Sequence, residues 1–131
     1  MRRYEKLLTE PDVELALDSE WKMTSDEVPG KTIGGTDAAA VNAVSAYLAA
    51  LVARHRLPQK LLIVHQLADA MIERRDEVIP RRGLAITFHI DGFGGRAEKL
   101  AEYRRLAVRT RRSSVQRDDR HGALGARRQR T

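Results

Sequence analysis

Three short segments end in side chains able to do chemistry. Asp18-Ser19-Glu20-Trp21, His65-Gln66 and His89-Ile90-Asp91-Gly92 each close a run rich in apolar residues. Paired carboxylates such as Asp18, Glu20 and Asp91 suit glycoside hydrolysis, in which one group is the acid and another the base or nucleophile. Trp21 beside them offers a platform for a sugar ring, and His65, Gln66 and His89 offer hydrogen bonds to a ligand. Two histidines with an Asp and a Glu also form a ligand set for Zn²⁺ or another divalent ion. The chain has no H-x-H or H-E-x-x-H spacing, so the sequence by itself calls for no metal and no cofactor. Each residue has a plain structural use as well. Asp18 would brace the following loop, Glu20 would pair with Lys22 or an arginine, and Trp21 would pack. His65 would be a hydrogen-bonded core histidine, Gln66 would tie loops together, and His89 would pair with Asp91.

The elements that carry these residues follow from periodicity. Residues 3–9 read as a short helix stopped by Pro11, and 13–21 alternate as a strand, with Val13, Leu15 and Leu17 on one face and Ala16, Asp18 and Glu20 on the other. A polar loop with Pro29, Gly30, Gly34 and Gly35 leads to Thr36 or Asp37, either of which can cap a helix running to about His55. Lys60 to Gln66 has the length and apolarity of a buried strand. Residues 68–78 read as a helix, 84–90 as a strand and 96–107 as a last helix. Strands alternating with helices predict βα units on a parallel sheet, an α/β fold.

The strand 84–90 narrows this further. Leu84, Ile86, Phe88 and Ile90 are large and apolar, while Ala85 and Thr87 between them are small and lead to His89 and Asp91. In a (β/α)₈ barrel the outward strand face packs on helices, and the inward face ends at the active-site mouth. Leu15 and Leu17 outward, Ala16 inward, and Asp18 and Glu20 at the mouth repeat the same logic. "GFGG" before Arg96 looks like a phosphate-binding turn at a helix N-terminus, yet it is not the G-x-G-x-x-G fingerprint. Glycine there is read as permitting a tight turn.

Charge divides the chain. Residues 104–131 hold ten Arg and two Asp, a net +8, whereas residues 1–103 carry fourteen Lys or Arg against sixteen Asp or Glu, a net −2. Nucleic-acid binding is therefore confined to the tail, where phosphate contacts would show as a steep dependence on salt. Residues 108–131 lack hydrophobic periodicity and are expected to be disordered. Their Arg, Ala, Ser and Gly content without Lys also matches a GC-rich gene read out of frame. Two units result, 1–107 and the Arg-rich tail 108–131. The chain has no cysteine, so disulfides and thiolate metal sites are excluded. "MRRYEKLLTE" is not a secretory signal, which leaves the chain cytoplasmic as it stands. No segment approaches the roughly 20 apolar residues of a membrane span.

"YEKLLTEPDVELALDSEWKM", "LPQKLLIVHQ" and "GLAITFHIDGFGG" resemble a family of uncharacterised bacterial secreted proteins and lipoproteins from GC-rich genomes, whose fold is similar to the TIM-barrel glycosidases. The resemblance covers roughly residues 3–105. It implies a barrel mouth formed by Asp18, Glu20, His65, Gln66, His89 and Asp91, and a glycan or cell-wall ligand. Members of that family are longer, so the resemblance also implies a partial barrel, shortened at both ends, glycosidase-like, inactive alone and prone to self-association. The alternatives are a non-catalytic glycan-binding module and a nucleic-acid binder acting through the tail.

Overall fold

A computed structural model describes residues 2–92 and 94–107. The apolar runs become three parallel strands, β1 (Leu15–Asp18), β3 (Lys60–Gln66) and β5 (Leu84–Ile90), with β3 in the centre. Leu15 lies beside Leu62 and Asp18 beside His65. Lys60 lies beside Leu84, and His65 beside His89. A second, two-stranded ribbon pairs β2 (Thr36–Asp37) with β4 (Ile72–Glu73), also in parallel. The helices are α1 (Glu5–Leu8), α2 (Ala38–His55) and α3 (96–107). The α/β class and the parallel pairing agree with the sequence pattern, and no closed barrel is present among the described residues.

Helix α2 is the element that makes the sheet stable. It starts where Asp37 accepts a hydrogen bond from the Ala40 amide at 2.7 Å, which satisfies one of the free N–H groups of the first turn. It ends at Arg56, whose backbone is left-handed (φ 53°), with Pro58 two residues on. Val41, Leu48 and Leu51 recur at helical spacing and are buried against Leu62, Val64 and Ile72. Asn42 and Ser45 add polar clamps. Asn42 bonds the Glu77 carbonyl and the Ile79 amide, and the Arg81 guanidinium donates to Ser45 Oγ at 2.9 Å. Arg81 thus fixes the approach to β5.

Among the described residues only one face of the sheet is covered. Lys60, Leu62, Val64 and Gln66 of β3 are buried, whereas Leu61, Ile63 and His65 between them are half-exposed. On β5, Leu84 is buried and Ile86, Phe88 and Ile90 are partly so, while Ala85, Thr87 and His89 face solvent. On β1, Ala16 and Asp18 are exposed and Leu15 and Leu17 are half-buried. Strand β3 reads as fully buried in the sequence, but helices cover just one of its sides.

Residues 68–78 are not helical. Two 3₁₀ turns, Asp69–Met71 and Arg75–Glu77, flank β4, and Arg74 is left-handed (φ 51°). Met71, Ile72, Arg75 and Val78 are nonetheless buried, at the spacing a helix would bury. Tertiary bonds explain the departure. The Gln66 side chain holds the Ala68 and Asp69 carbonyls, Asn42 brackets the far end, and β2 pairs with β4, so local propensity is overridden. Arg75 lies over the Phe88 ring at 3.9 Å and donates to the carbonyl of Leu106, which is fully buried. This docks α3.

The N-terminal segment is tied to α2 by Glu5, which accepts from Tyr47 Oη and Arg54. The Tyr47 hydrogen bond, with the Arg54 charge, holds the Glu5 carboxyl below the ordinary carboxylate range. Among the described residues no helix is long and apolar enough to cross a membrane. The Arg-rich tail 108–131, expected to be disordered, lies outside the described residues.

Candidate functional site

Strand β1 ends at Asp18, and its chain turns at once through a 3₁₀ turn, Ser19–Trp21, in which Ser19 is buried. The turn brings Glu20 back toward the strand end. Its shape is set from outside, because the Gly34 amide donates to the Glu20 carbonyl at 2.9 Å and the Gly35 amide to the Lys22 carbonyl at 3.4 Å. The segment around Gly34 therefore straps the turn down. A Cβ at Gly34 would overlap the carbonyl oxygens of both Glu20 and Lys22. Gly34→Ala should accordingly cost about 1–3 kcal/mol, the range for forced overpacking. It should also shift the emission of Trp21, the single tryptophan. Thermal unfolding and fluorescence check both, and an unchanged spectrum at unchanged stability would refute the strap.

Parallel register supplies the other half of the site. Asp18, His65 and His89 stand in one row across β1, β3 and β5, on the open face. His65 Nδ1 lies 3.0 Å from Asp18 Oδ1. The His65 and His89 rings are 5.2 Å apart, centroid to centroid, and tilted by 33°. The ligand atoms of Asp18, Glu20 and His65 all lie within 4.8 Å of one another. The side chain of Asp18 is 48% exposed and that of His65 21%. Among the described residues, the buried His65 Nε2 has no hydrogen-bond partner. The centre is thus two carboxylates around an imidazole with one ring nitrogen unsatisfied, open on the side away from α2.

The other residues singled out in the sequence are placed differently. Gln66 is fully buried on the α2 side of the sheet, donating to the Ala68 and Asp69 carbonyls at 3.1 and 3.4 Å. It ties the following loop, and its buried Oε1 has no partner among the described residues. Asp91 lies just beyond β5, its amide on the Gln66 carbonyl at 3.4 Å and its carboxylate 3.5 Å from Lys99. The expected His89–Asp91 pair is absent among the described contacts. Trp21 is 63% exposed, which removes packing as its role. Glu98 lies against Gly94 and Gly95, its Oε2 3.0 Å from where a Gly95 Cβ would stand. An acidic side chain there disfavours a phosphate. Phe93 lies outside the described residues.

The strap at Gly34 was not legible as part of the site. Its one signal is the Gly34-Gly35 pair, which reads equally well as loop composition. Nor does any motif foretell that Lys99, eight residues after Asp91, occupies that carboxylate. No protein-family model, curated protein or solved structure matches this chain.

Proposed function

We propose that this chain is part of a TIM-barrel-like scaffold that binds a glycan at the C-terminal ends of its strands, glycosidase-like in layout and without turnover on its own. The observation that carries the reading is the convergence of Asp18, Glu20 and His65 at the ends of parallel strands, one residue from the exposed indole of Trp21. Strand C-terminal ends are where ligands bind in parallel α/β proteins. In this reading Trp21 stacks on a sugar ring, and Asp18 and Glu20 accept hydrogen bonds from vicinal hydroxyls. The half-exposed face of Leu61 and Ile63, with Ala16, Ala85 and Thr87, fits a barrel interior awaiting its opposite wall. Asp91 lies beyond β5 with its carboxylate 3.5 Å from Lys99, and in this reading it is not used as a third carboxylate.

The test is titration of the full chain with soluble cell-wall and plant oligosaccharides, followed by Trp21 fluorescence and calorimetry. Binding should be lost in Trp21→Ala and insensitive to salt, and reducing-sugar release should be absent. No binding across the panel, or binding that survives Trp21→Ala, would overturn the assignment.

A further inference from the structure

We propose that Asp18, Glu20 and His65 form a binding site for one divalent transition-metal ion, of which Zn²⁺ is the best-fitting representative. The inference shares its location with the strand-end site but does not depend on a glycan being the ligand.

The geometry is that of a partly collapsed ligand shell. Zn²⁺ takes imidazole nitrogen and carboxylate oxygen at about 2.0–2.2 Å. Two such donors on one ion therefore stand about 3.0 Å apart at a right angle and about 3.4 Å apart at the tetrahedral angle. His65 Nδ1 and Asp18 Oδ1 are 3.0 Å apart. The three donors span 4.8 Å at most. Donors on tetrahedral Zn²⁺ stand about 3.4 Å apart, so the widest pair would close by up to about 1.4 Å on binding. Glu20 sits on the turn strapped by Gly34, so its backbone is already placed for the third position.

The chemistry of the ring fits the same ion. A neutral imidazole carries one N–H and one lone pair. The lone pair of Nδ1, the nitrogen turned toward Asp18 at 3.0 Å, is the donor an ion would use, with the ring proton then on Nε2. Imidazole among the donors favours first-row ions over Mg²⁺ and Ca²⁺, which prefer all-oxygen shells. Three protein donors on a face open to solvent leave room for water or a ligand hydroxyl on the ion. Sequence spacing shows none of this, because the ligands are assembled by the Asp18–His65 register of two strands.

The test uses the full chain freed of metal by chelation, titrated with Zn²⁺ by calorimetry and with Co²⁺ by visible absorption. One equivalent should bind. Asp18→Asn, Glu20→Gln and His65→Gln should each weaken binding tenfold or more, with circular dichroism and the unfolding midpoint confirming a folded chain. Glu20→Gln keeps the test decisive should His65→Gln unfold, since Glu20 lies on a surface turn. A hundredfold excess of Ca²⁺ should not displace Zn²⁺. No uptake, uptake equal in all three variants, or displacement by Ca²⁺ would overturn the proposal. Zn²⁺ uptake without oligosaccharide binding would uphold the metal site and refute the glycan reading, and the converse result would do the reverse.

Discussion

Replacing Lys60 by methionine is expected to destabilise the chain by about 2 kcal/mol, with β1 loosened first. Lys60 opens β3, is fully buried, and points to the helix-covered face, where an aliphatic residue would ordinarily stand. Its Nζ donates to the carbonyls of Glu10 and Val13, both at 2.7 Å. These carbonyls belong to the link between α1 and β1, so one ammonium fixes how that link enters the sheet. The adjacent Leu61 amide is held by the Glu14 carboxylate, which reinforces the same joint. Methionine keeps most of the volume but removes the ammonium from both acceptors. The Glu10 carbonyl keeps the Val13 amide at 3.3 Å, so the main loss is at the Val13 carbonyl, about 1–3 kcal/mol. Removing a buried cation also relieves some desolvation. Balancing these terms places the net near the middle of that range. Urea unfolding measures it, and a loss under about 1 kcal/mol would show that packing alone holds the joint.

The second large effect concerns association. Among the described residues, strands β1 and β5 each have a partner on one side only within the three-stranded sheet. The face bearing Ala16, Ala85 and Thr87 is exposed, and Lys, Glu and Pro, the residues that commonly guard an edge, are absent from β5. The chain should therefore sediment as dimers or larger species at tens of micromolar (on the order of common assay concentrations, where exposed strand edges pair). Thr87→Lys, which places a charge on the exposed side of β5, should shift the population to monomer without lowering the unfolding midpoint. A monodisperse wild-type monomer with one sharp transition would instead establish that three parallel strands and α2 form a self-sufficient unit.

The parts of this fold that were legible in the sequence are those whose periodicity is set by one partner. Helix α2 was readable because Val41, Val44, Leu48, Leu51 and Val52 face a single sheet, and Asp37 caps it locally. Strand β5 was readable because its small residues and its large ones sort cleanly onto two faces. Residues 68–78 were misread because Met71, Ile72, Arg75 and Val78 bury at helical spacing while their backbone bonds go to Gln66, Asn42 and β2. Periodicity reports which side chains go inward, not where amides and carbonyls find partners. The same limit applies at the site. Asp18, Glu20 and His65 were legible as strand-end residues, and their convergence depends on register. Gln66 and Asp91 also end their strands in the sequence, yet strand alternation sends Gln66 to the opposite face and Lys99 engages Asp91.

The order in which the strands can be joined bears on how the site behaves. Bringing β5 to β3 closes 24 residues, as from Lys60 to Leu84, and secures seven paired positions. Bringing β1 to β3 closes 47, as from Asp18 to His65, and secures four. Doubling a loop adds about 0.6 kcal/mol of closure entropy, so β1 is the slower strand to arrive and the readier to leave. Asp18 and Glu20 travel with it, while His65 stays on the central strand. A ligand gripped between them works as a clasp on the weakest seam of the sheet: filling the cluster and docking β1 become one equilibrium, and affinity for the ligand is lowered by whatever fraction of molecules has that seam undone.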